Sequence, residues 1–230
     1  MARHIGVVAC SAEGAALCYR SIAIEGFHLM GEHDHPEVTL NSIPMARHME
    51  CIRRGDWNGV ADWMLASARK VAAAGADFVI SPDNTIHQAL DRVRASSPIP
   101  WISIADVVAE EARERGFERV GILGTKYLME GPVYPAALEK RGISWSIPSP
   151  RDRETINRVI FQELVNAVFT EDARSLFDRV MESLAADGCD AAALACTEIP
   201  LIVRPETAPL PTLDSTRLLA RAAVRRALEP

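Results

Sequence analysis

The sequence predicts an α/β protein built from two similar halves, and three observations support this prediction. Short apolar runs alternate with longer stretches rich in Ala, Leu, Arg and Glu, the usual pattern of strands and helices around parallel sheets. Two segments, one in each half of the chain, resemble each other. Proline-rich passages at residues 97–100 and 204–211 fall where connections between the halves are expected.

The predicted elements alternate along the whole chain. Strands are predicted near residues 4–9, 37–42, 78–81, 101–103, 119–123, 144–147 and 191–195. Helices are predicted over residues 12–27, 57–74, 86–95, 105–115, 134–141, 153–169, 173–186 and 215–228. Each helix follows or precedes a strand, which favours parallel sheets flanked by helices.

The internal similarity fixes which positions of the two halves correspond. Three positions correspond at a constant offset of 113. Gly75 and Asp77 recur as Gly188 and Asp190, and the titratable residue after the strand is Asp83 in one segment and Cys196 in the other. A weaker echo relates the apolar run around Gly6 to the run around Gly121, at an offset of 115.

Two pseudo-symmetric α/β domains follow from this repeat. We predict one domain over residues 1–97 with 212–230, and a second over residues 98–211. The last helix would then return to the first half. Because ligands of open α/β sheets bind beyond the carboxyl ends of the strands, the active site is expected in the cleft between the domains.

Composition excludes several classes of function. The chain has 230 residues and a formal net charge of −6, and its Lys and Arg residues are scattered, so a nucleic-acid surface is not expected. No stretch approaches the length of a membrane span, and no signal peptide is expected. The five cysteines form no C-x-x-C pair, which favours reduced thiols in a cytoplasmic protein.

Asp83 and Cys196 are the candidate catalytic pair. Both follow an apolar strand at equivalent positions, so they are expected to face one ligand from opposite sides. One group could remove a proton from a stereocentre while the other returns a proton to the opposite face. Two structural interpretations stand beside this one: Asp83 as a helix cap and Cys196 as a small buried hydrophobe.

The same two segments resemble the motifs of a known family. Residues Pro82-Asp83-Asn84-Thr85-Ile86-His87 resemble the P-C-N-T-x-H motif of aspartate/glutamate racemases. Residues Ala195-Cys196-Thr197-Glu198-Ile199 resemble the G-C-T-E-[IV] motif of the same family. The resemblance implies a pseudo-symmetric fold, a small carboxylate or amino-acid substrate, no pyridoxal phosphate or other cofactor, no metal, and a homodimer.

The resemblance also implies roles for individual residues. Cys196 and Asp83 would be the acid/base pair. Arg47 would pair with a distal carboxylate, as a bidentate guanidinium can. The other expected substrate-binding residues are Asn84, Thr85 and Thr197, which would hold the α-carboxylate, together with Ser11 and Thr125.

Asp83 departs from the family, because most members have a cysteine at this position. Reference pKa values of a thiol and a carboxyl group differ widely, about 8.5 against 3.9, so the two groups favour opposite proton states. Three alternatives to racemisation therefore stay open: a decarboxylase or other lyase that uses Cys196 alone, a cis/trans isomerase, and a non-catalytic binder of an acidic metabolite.

Three further features receive structural interpretations. Glu198 is predicted to cap its helix rather than to restrain the Cys196 thiol. His87 is expected either to orient Asp83 or to finish a helical turn. His28, His33 and His35 lie at a predicted helix end and loop, and their spacing does not match a helical metal-binding pair.

Overall fold

The computed structural model describes residues 2–229 and shows a mixed α/β protein, as predicted. The chain divides into two compact units. The first unit runs to Ile104 and resumes at Thr216, and the second is Ala105–Ser215. Both boundaries fall later than the predicted 97/98 and 211/212. Residues 1 and 230 of the predicted first domain lie outside the described range.

Seven strands and ten α-helices alternate within residues 2–229. The strands are β1 (Ile5–Ala9), β2 (Val38–Ser42), β3 (Phe78–Ile80), β4 (Arg119–Leu123), β5 (Ser144–Ser146), β6 (Ala191–Leu194) and β7 (Thr212–Asp214). The helices are α1 (Ala12–Met30), α2 (Met45–Arg53), α3 (Trp57–Ala73), α4 (Leu90–Arg94), α5 (Ile104–Glu114), α6 (Lys126–Met129), α7 (Val133–Glu139), α8 (Pro150–Gln162), α9 (Glu171–Ala186) and α10 (Ser215–Leu228). Short 3-10 helices cover Thr85–Ala89, Leu164–Asn166 and Ile199–Leu201. Among these helices, none is both long enough and apolar enough to cross a membrane.

The two units contain parallel sheets with the same strand order. In the first unit the order is β2-β1-β3, and Trp101 extends it by a single parallel bridge to Val79 of β3. In the second unit the order is β5-β4-β6-β7. Trp101 therefore occupies the sheet position that β7 fills in the second unit. This shared order confirms the predicted pseudo-symmetry of the fold.

The central strands are buried on both faces, which explains their continuous apolar runs. Every residue of β1, β3 and β6 is buried, whereas the edge strand β2 is partly exposed. Gly6 and Gly121 allow a helix to pack closely on each central strand. A Cβ at Gly6 would lie 2.7 Å from Val71 of α3, and one at Gly121 would lie 2.8 Å from Leu184 of α9.

The Gly-x-Asp repeat has a structural role in both units. Gly75 and Gly188 follow α3 and α9 with φ values of +99° and +88°, a region that favours glycine. The Asp77 carboxylate then accepts a hydrogen bond from the His4 amide (2.7 Å), just before β1. Asp190 accepts from the amides of Glu118 (2.7 Å) and Arg119 (3.1 Å) at the start of β4. The repeat therefore joins each helix end to the central strand of its sheet.

Several predicted elements were wrong in extent or missing. The sequence pattern did not predict α2, α6 and β7, which are short and follow prolines or turns. The predicted strand at 101–103 is only the bridge at Trp101. The predicted helix over 153–169 begins at Pro150 and ends at Gln162, and a left-handed residue, Ala167, closes the 3-10 turn that follows. Thr170 then begins α9 as its cap.

Candidate active site

Asp83 and Cys196 follow equivalent strands of their sheets. Asp83 comes shortly after β3, and Cys196 shortly after β6, each next to the central strand. Both precede a 3-10 helix, Thr85–Ala89 in the first unit and Ile199–Leu201 in the second. The correspondence predicted from the repeat is thus present in the backbone of each unit.

The Asp83 carboxylate is held by backbone amides at the end of β1. The Cys10 amide donates to Asp83 Oδ2 at 2.7 Å, and the Ser11 amide donates to Oδ1 at 3.3 Å. Asp83 is only 9% exposed. Because hydrogen bonds from N–H groups stabilise the charged form of a carboxyl group, this environment favours ionised Asp83.

Ser11 joins this cluster as the cap of α1. Its hydroxyl oxygen accepts a hydrogen bond from the Gly14 amide at 3.1 Å, while its own amide points to Asp83. The predicted site residue Ser11 therefore lies directly beside Asp83, at the N-terminus of a 19-residue helix. The positive end of this helix dipole further favours an anion here.

The residues that follow Asp83 are buried or half-buried, and Asn84 does not cap the 3-10 helix that begins at Thr85. The Asn84 side-chain amide donates to the carbonyl of Pro82 at 3.1 Å, and Asn84 makes no side-chain cap bond. Thr85 is half-buried at the start of the 3-10 helix. His87 Nε2 donates to the carbonyl oxygen of Ser81 at 3.1 Å, so this bond orients the loop before Asp83.

Glu198 binds the Cys196 thiol, and the prediction that it caps a helix was wrong. The Cys196 thiol donates to Glu198 Oε2 at 3.0 Å, and the Thr197 hydroxyl donates to the same oxygen at 2.7 Å. Glu198 is 2% exposed and makes no side-chain cap bond to the following 3-10 helix. Glu198 lies two residues after Cys196 and directly before the 3-10 helix, so its position in the sequence suits either role. The sequence alone therefore could not distinguish a helix cap from a partner of the thiol.

The end of β4 comes close to the segment that carries Cys196. Thr125 caps α6 by accepting a hydrogen bond from the Leu128 amide at 3.2 Å, and it is buried. Before it, Gly124 lies so close to β6 that a Cβ there would be 2.8 Å from the Ala195 carbonyl oxygen. Thr125 is therefore placed in the second unit much as Ser11 is placed in the first.

Tyr134 is a neighbour of Cys196 that the sequence did not reveal. Its side chain is fully buried, and burial is the main reason that its pKa is raised far above the ordinary range. A hydrogen bond to Ser215 partly lowers the pKa of the phenol, whereas the negative charge of Asp214, and that of Cys196 whenever its thiol is ionised, raises it. Ser215 also donates to the carbonyl of Leu194 at the end of β6, at 2.8 Å. Tyr134 therefore keeps its hydroxyl proton and is a buried, neutral neighbour of Cys196.

Arg47 lies on α2, a helix that was not predicted. Its side chain is exposed, and the guanidinium carbon lies 5.8 Å from the ring centroid of Trp63 on α3. The next residue, His48, is only 1% exposed, and its Nδ1 has no hydrogen-bond partner among the described residues. Burial lowers the His48 pKa from 6.5 to about 4, so this imidazole is neutral in the folded protein near pH 7.

The chain matches a known enzyme family over nearly its whole length. The sequence profile of the Asp/Glu/hydantoin racemase family matches residues 5–223. The chain belongs to this family. The broad specificity amino-acid racemase RacX of Bacillus subtilis (strain 168) is 21% identical over 199 residues, which cover 83% of this chain and 82% of that protein.

Solved structures of racemase relatives have the same fold. A candidate Asp/Glu racemase from Yersinia pestis has a TM-score of 0.88 and 31% identity, covering 99% of this chain and 100% of that one. An aspartate racemase homologue from Pyrococcus horikoshii OT3 has a TM-score of 0.85 and 26% identity, covering 100% of both chains. The family and these relatives identify the chain as an isomerase of the amino-acid racemase class.

Proposed function

We propose that the enzyme racemises an amino acid by two-base proton transfer, with Asp83 and Cys196 as the two proton-transfer groups. The observation that carries this proposal is the different hydrogen bonding of two groups at equivalent positions. Backbone amides hold Asp83 as a carboxylate, whereas Cys196 directs its thiol proton to Glu198. One base and one acid are what a single stereoinversion requires.

The substrate in this proposal is an amino acid, with acidic amino acids as the first candidates. The family resemblance assigns its α-carboxylate to Asn84, Thr85 and Thr197. Ser11 would contribute from the cap of α1, a long helix whose N-terminus favours anions, and Thr125 from the turn before α6. Such donors would also stabilise the carbanion formed when the α-proton leaves.

Arg47 is the proposed partner of a second, distal carboxylate. Its guanidinium is exposed, and stacking near Trp63 leaves its N–H donors available in the plane of the group. A substrate with a side-chain carboxylate would therefore bind more tightly than one without. RacX, by its description, accepts many amino acids, so the panel of candidate substrates must extend beyond aspartate and glutamate.

Proton NMR in heavy water tests this proposal directly. The L and D forms of aspartate, glutamate and a panel of neutral and basic amino acids would be incubated with the enzyme. Exchange of the α-proton together with loss of optical activity is expected for at least one of them. Cys51→Ala is a matched control, because Cys51 is a buried cysteine of α2 outside the site. No exchange with any member of the panel would refute the proposal.

The alternative reactions give different results in the same experiment. Carbon dioxide release from a substituted malonate that depends on Cys196 would indicate a decarboxylase. Binding of dicarboxylates without exchange would indicate a non-catalytic binder. Family membership favours racemisation over both.

We also propose a cytoplasmic homodimer. Four large apolar side chains of α1 are exposed: Tyr19, Ile24, Phe27 and Leu29. They support association, because exposed apolar surface commonly marks interfaces. All five cysteines are free thiols, which fits a reducing compartment. Light scattering of the purified enzyme tests the dimer, and a monomer at all concentrations would exclude it.

A further inference from the structure

We propose that Cys10 is a further catalytic residue, which passes the substrate proton to and from Asp83. This inference rests on the proposed racemisation and adds a residue to it. In this scheme the thiol of Cys10 contacts the substrate, and the Asp83 carboxylate accepts the proton that the thiol gives up. Cys196 remains the proton-transfer group of the second unit.

The position of Asp83 is fixed at the end of β1. Each of its carboxylate oxygens accepts a backbone amide, from Cys10 and from Ser11. A carboxylate held in this way at 9% exposure has little freedom to turn towards a ligand. A residue between Asp83 and the substrate would remove the need for that movement.

Cys10 occupies the position that such a residue needs. Its amide nitrogen lies 2.7 Å from Asp83 Oδ2, and its Sγ is three covalent bonds from that nitrogen. The Cys10 side chain therefore begins beside the Asp83 carboxylate, and the proposal places its thiol against Oδ2. Cys10 is also the first residue beyond the carboxyl end of the central strand β1, where ligands of parallel sheets bind.

Exposure distinguishes Cys10 from the other four cysteines. It is partly exposed, whereas Cys18, Cys51, Cys189 and Cys196 are buried. Cys18 also lies in the field of Asp83, but burial is the main reason that its pKa is raised to about 12. Cys18 is therefore inert, and Cys10 is the cysteine of the first unit that a reagent or substrate can reach.

The second unit has no counterpart of Cys10. The cap of α1 follows Gly6 by five positions, whereas the cap of α6 follows Gly121 by four. The residue before the cap is Cys10 in the first unit and Gly124 in the second. Contact with Ala195 leaves no room for a side chain at Gly124. Each unit therefore supplies one thiol and one carboxylate. In the first unit they follow β1 and β3, whereas in the second unit Cys196 and Glu198 both follow β6.

The proposed proton transfer is balanced. The Cα–H bond of the substrate breaks, its electrons stay on the carbanion, and the proton goes to Cys10 Sγ. At the same time the original thiol proton moves from Sγ to Asp83 Oδ2. Cys196 then gives its proton to the other face of the carbanion. The forward reaction leaves Asp83 protonated and Cys196 as a thiolate, and the reverse reaction returns the Asp83 proton to the substrate through Cys10. Asp83 therefore gains and loses its proton without touching the substrate.

The first test compares Cys10→Ala, Cys10→Ser and Cys51→Ala by α-proton exchange in heavy water. Cys10→Ala should slow exchange from one enantiomer by about 100-fold or more, the usual contribution of an acid/base group. Cys196 should still exchange the proton of the other enantiomer without inverting it. Racemisation by Cys10→Ala at the rate of Cys51→Ala would overturn the proposal.

The second test measures the pairing of Cys10 with Asp83 without any substrate. Alkylation of Cys10 by iodoacetamide is followed by mass spectrometry against pH, in the wild-type enzyme and in Asp83→Asn. The other titratable groups near this end of β1 are Glu13, Cys18 and His87, and they are common to both proteins. Loss of the neighbouring negative charge should move the Cys10 profile to lower pH.

The two tests fail in distinguishable ways. Identical alkylation profiles overturn the Cys10–Asp83 pairing, whether or not a substrate is found. If Asp83→Asn does not fold, the wild-type profile decides, and a midpoint at or below that of a free thiol, about 8.5, overturns the pairing. A wild-type enzyme that exchanges no proton refutes the proposed function, even if the pairing is confirmed.

Discussion

The two units are alike in their backbone and different at their reactive ends. Both contain a parallel sheet with the same strand order. The same residue types occupy six structural positions, here called the frame residues: Gly6, Gly75 and Asp77 in the first unit, and Gly121, Gly188 and Asp190 in the second. At the strand ends, by contrast, a carboxylate in one unit corresponds to a thiol in the other.

The frame residues are separate from the proposed proton-transfer groups. The frame residues set helix packing, helix ends and the start of the central strand. None of them touches Asp83 or Cys196 through a hydrogen bond that the structure gives. We therefore expect changes at Asp83 and Cys196 to affect proton transfer more than the helix packing that the frame residues set.

The largest expected effect is the loss of the second unit's proton-transfer group. Cys196→Ala should reduce racemisation by about 1,000-fold, within the range expected for an acid/base residue. Exchange of one enantiomer's α-proton through the first unit should persist. Chiral chromatography and NMR in heavy water measure the two rates. Equal loss of exchange for both enantiomers would contradict independent roles of the units.

A buried histidine should make the first unit sensitive to acid. His48 is neutral in the fold, with its pKa lowered to about 4, whereas in the unfolded chain it is protonated below about pH 6.5. The unfolded state thus binds more protons between these values, so stability is present above pH 6.5 and falls as the pH drops towards 4. The loss attributable to His48 should be about 3 kcal/mol.

Urea denaturation of the wild-type protein and His48→Leu at pH 7.5 and pH 4 measures this loss. Between pH 7.5 and pH 4 the free energy of unfolding should fall more for the wild-type protein than for His48→Leu. The matching helix of the second unit, α8, buries only apolar side chains, including Ile156 and Ile160. An unchanged difference between the two pH values would exclude His48 as the acid-sensitive group.

Glu198 should act through the thiol that it holds. Glu198→Gln keeps an oxygen acceptor but removes the charge, so the Cys196 thiol should lose its proton more readily. We expect racemisation to fall by about 10- to 100-fold, the equivalent of one hydrogen bond to a charged group. The pH profile of the rate should move to lower pH. A reduced rate with an unchanged profile would indicate a purely structural role for Glu198.

The smallest effects are expected at the frame residues. Asp190→Ala removes bonds to two amides and should cost about 2 to 3 kcal/mol of stability, whereas Asp77→Ala, with one amide bond, should cost about 1 to 2 kcal/mol. Neither change should alter the racemisation rate of the folded enzyme. Thermal unfolding and kinetics on the same samples test both statements. A strong kinetic effect at either position would break the separation between frame and chemistry.

Sequence periodicity predicted the sheets well because their central strands are buried on both faces. The runs in β1, β3 and β6 are continuous and apolar, and the repeated Gly-x-Asp marks the helix end before β3 and β6. The strand at residues 212–214 was missed because it is short and follows Pro211. Its sheet position depends on a hydrogen bond from the Ala192 amide to the Pro211 carbonyl, which no local pattern encodes.

The site was predicted in part, for a physical reason. Asp83 and Cys196 were identifiable because they end two similar segments, but their partners come from other parts of the chain. The amides that hold Asp83 belong to residues 10 and 11, and Tyr134 on α7 is close enough to Cys196 for the two groups to interact electrostatically. The direction in which Glu198 points depends on the turn after β6. Such contacts follow from tertiary packing rather than from spacing.

The division of the chain has a consequence for its synthesis. The second unit is continuous, from Ala105 to Ser215, whereas the first needs α10, which follows the second unit along the chain. The Ala227 carbonyl accepts a hydrogen bond from the Arg3 amide, joining the two ends of the first unit. During translation the second unit can therefore fold as soon as it emerges, while the first, although begun earlier, must wait for α10.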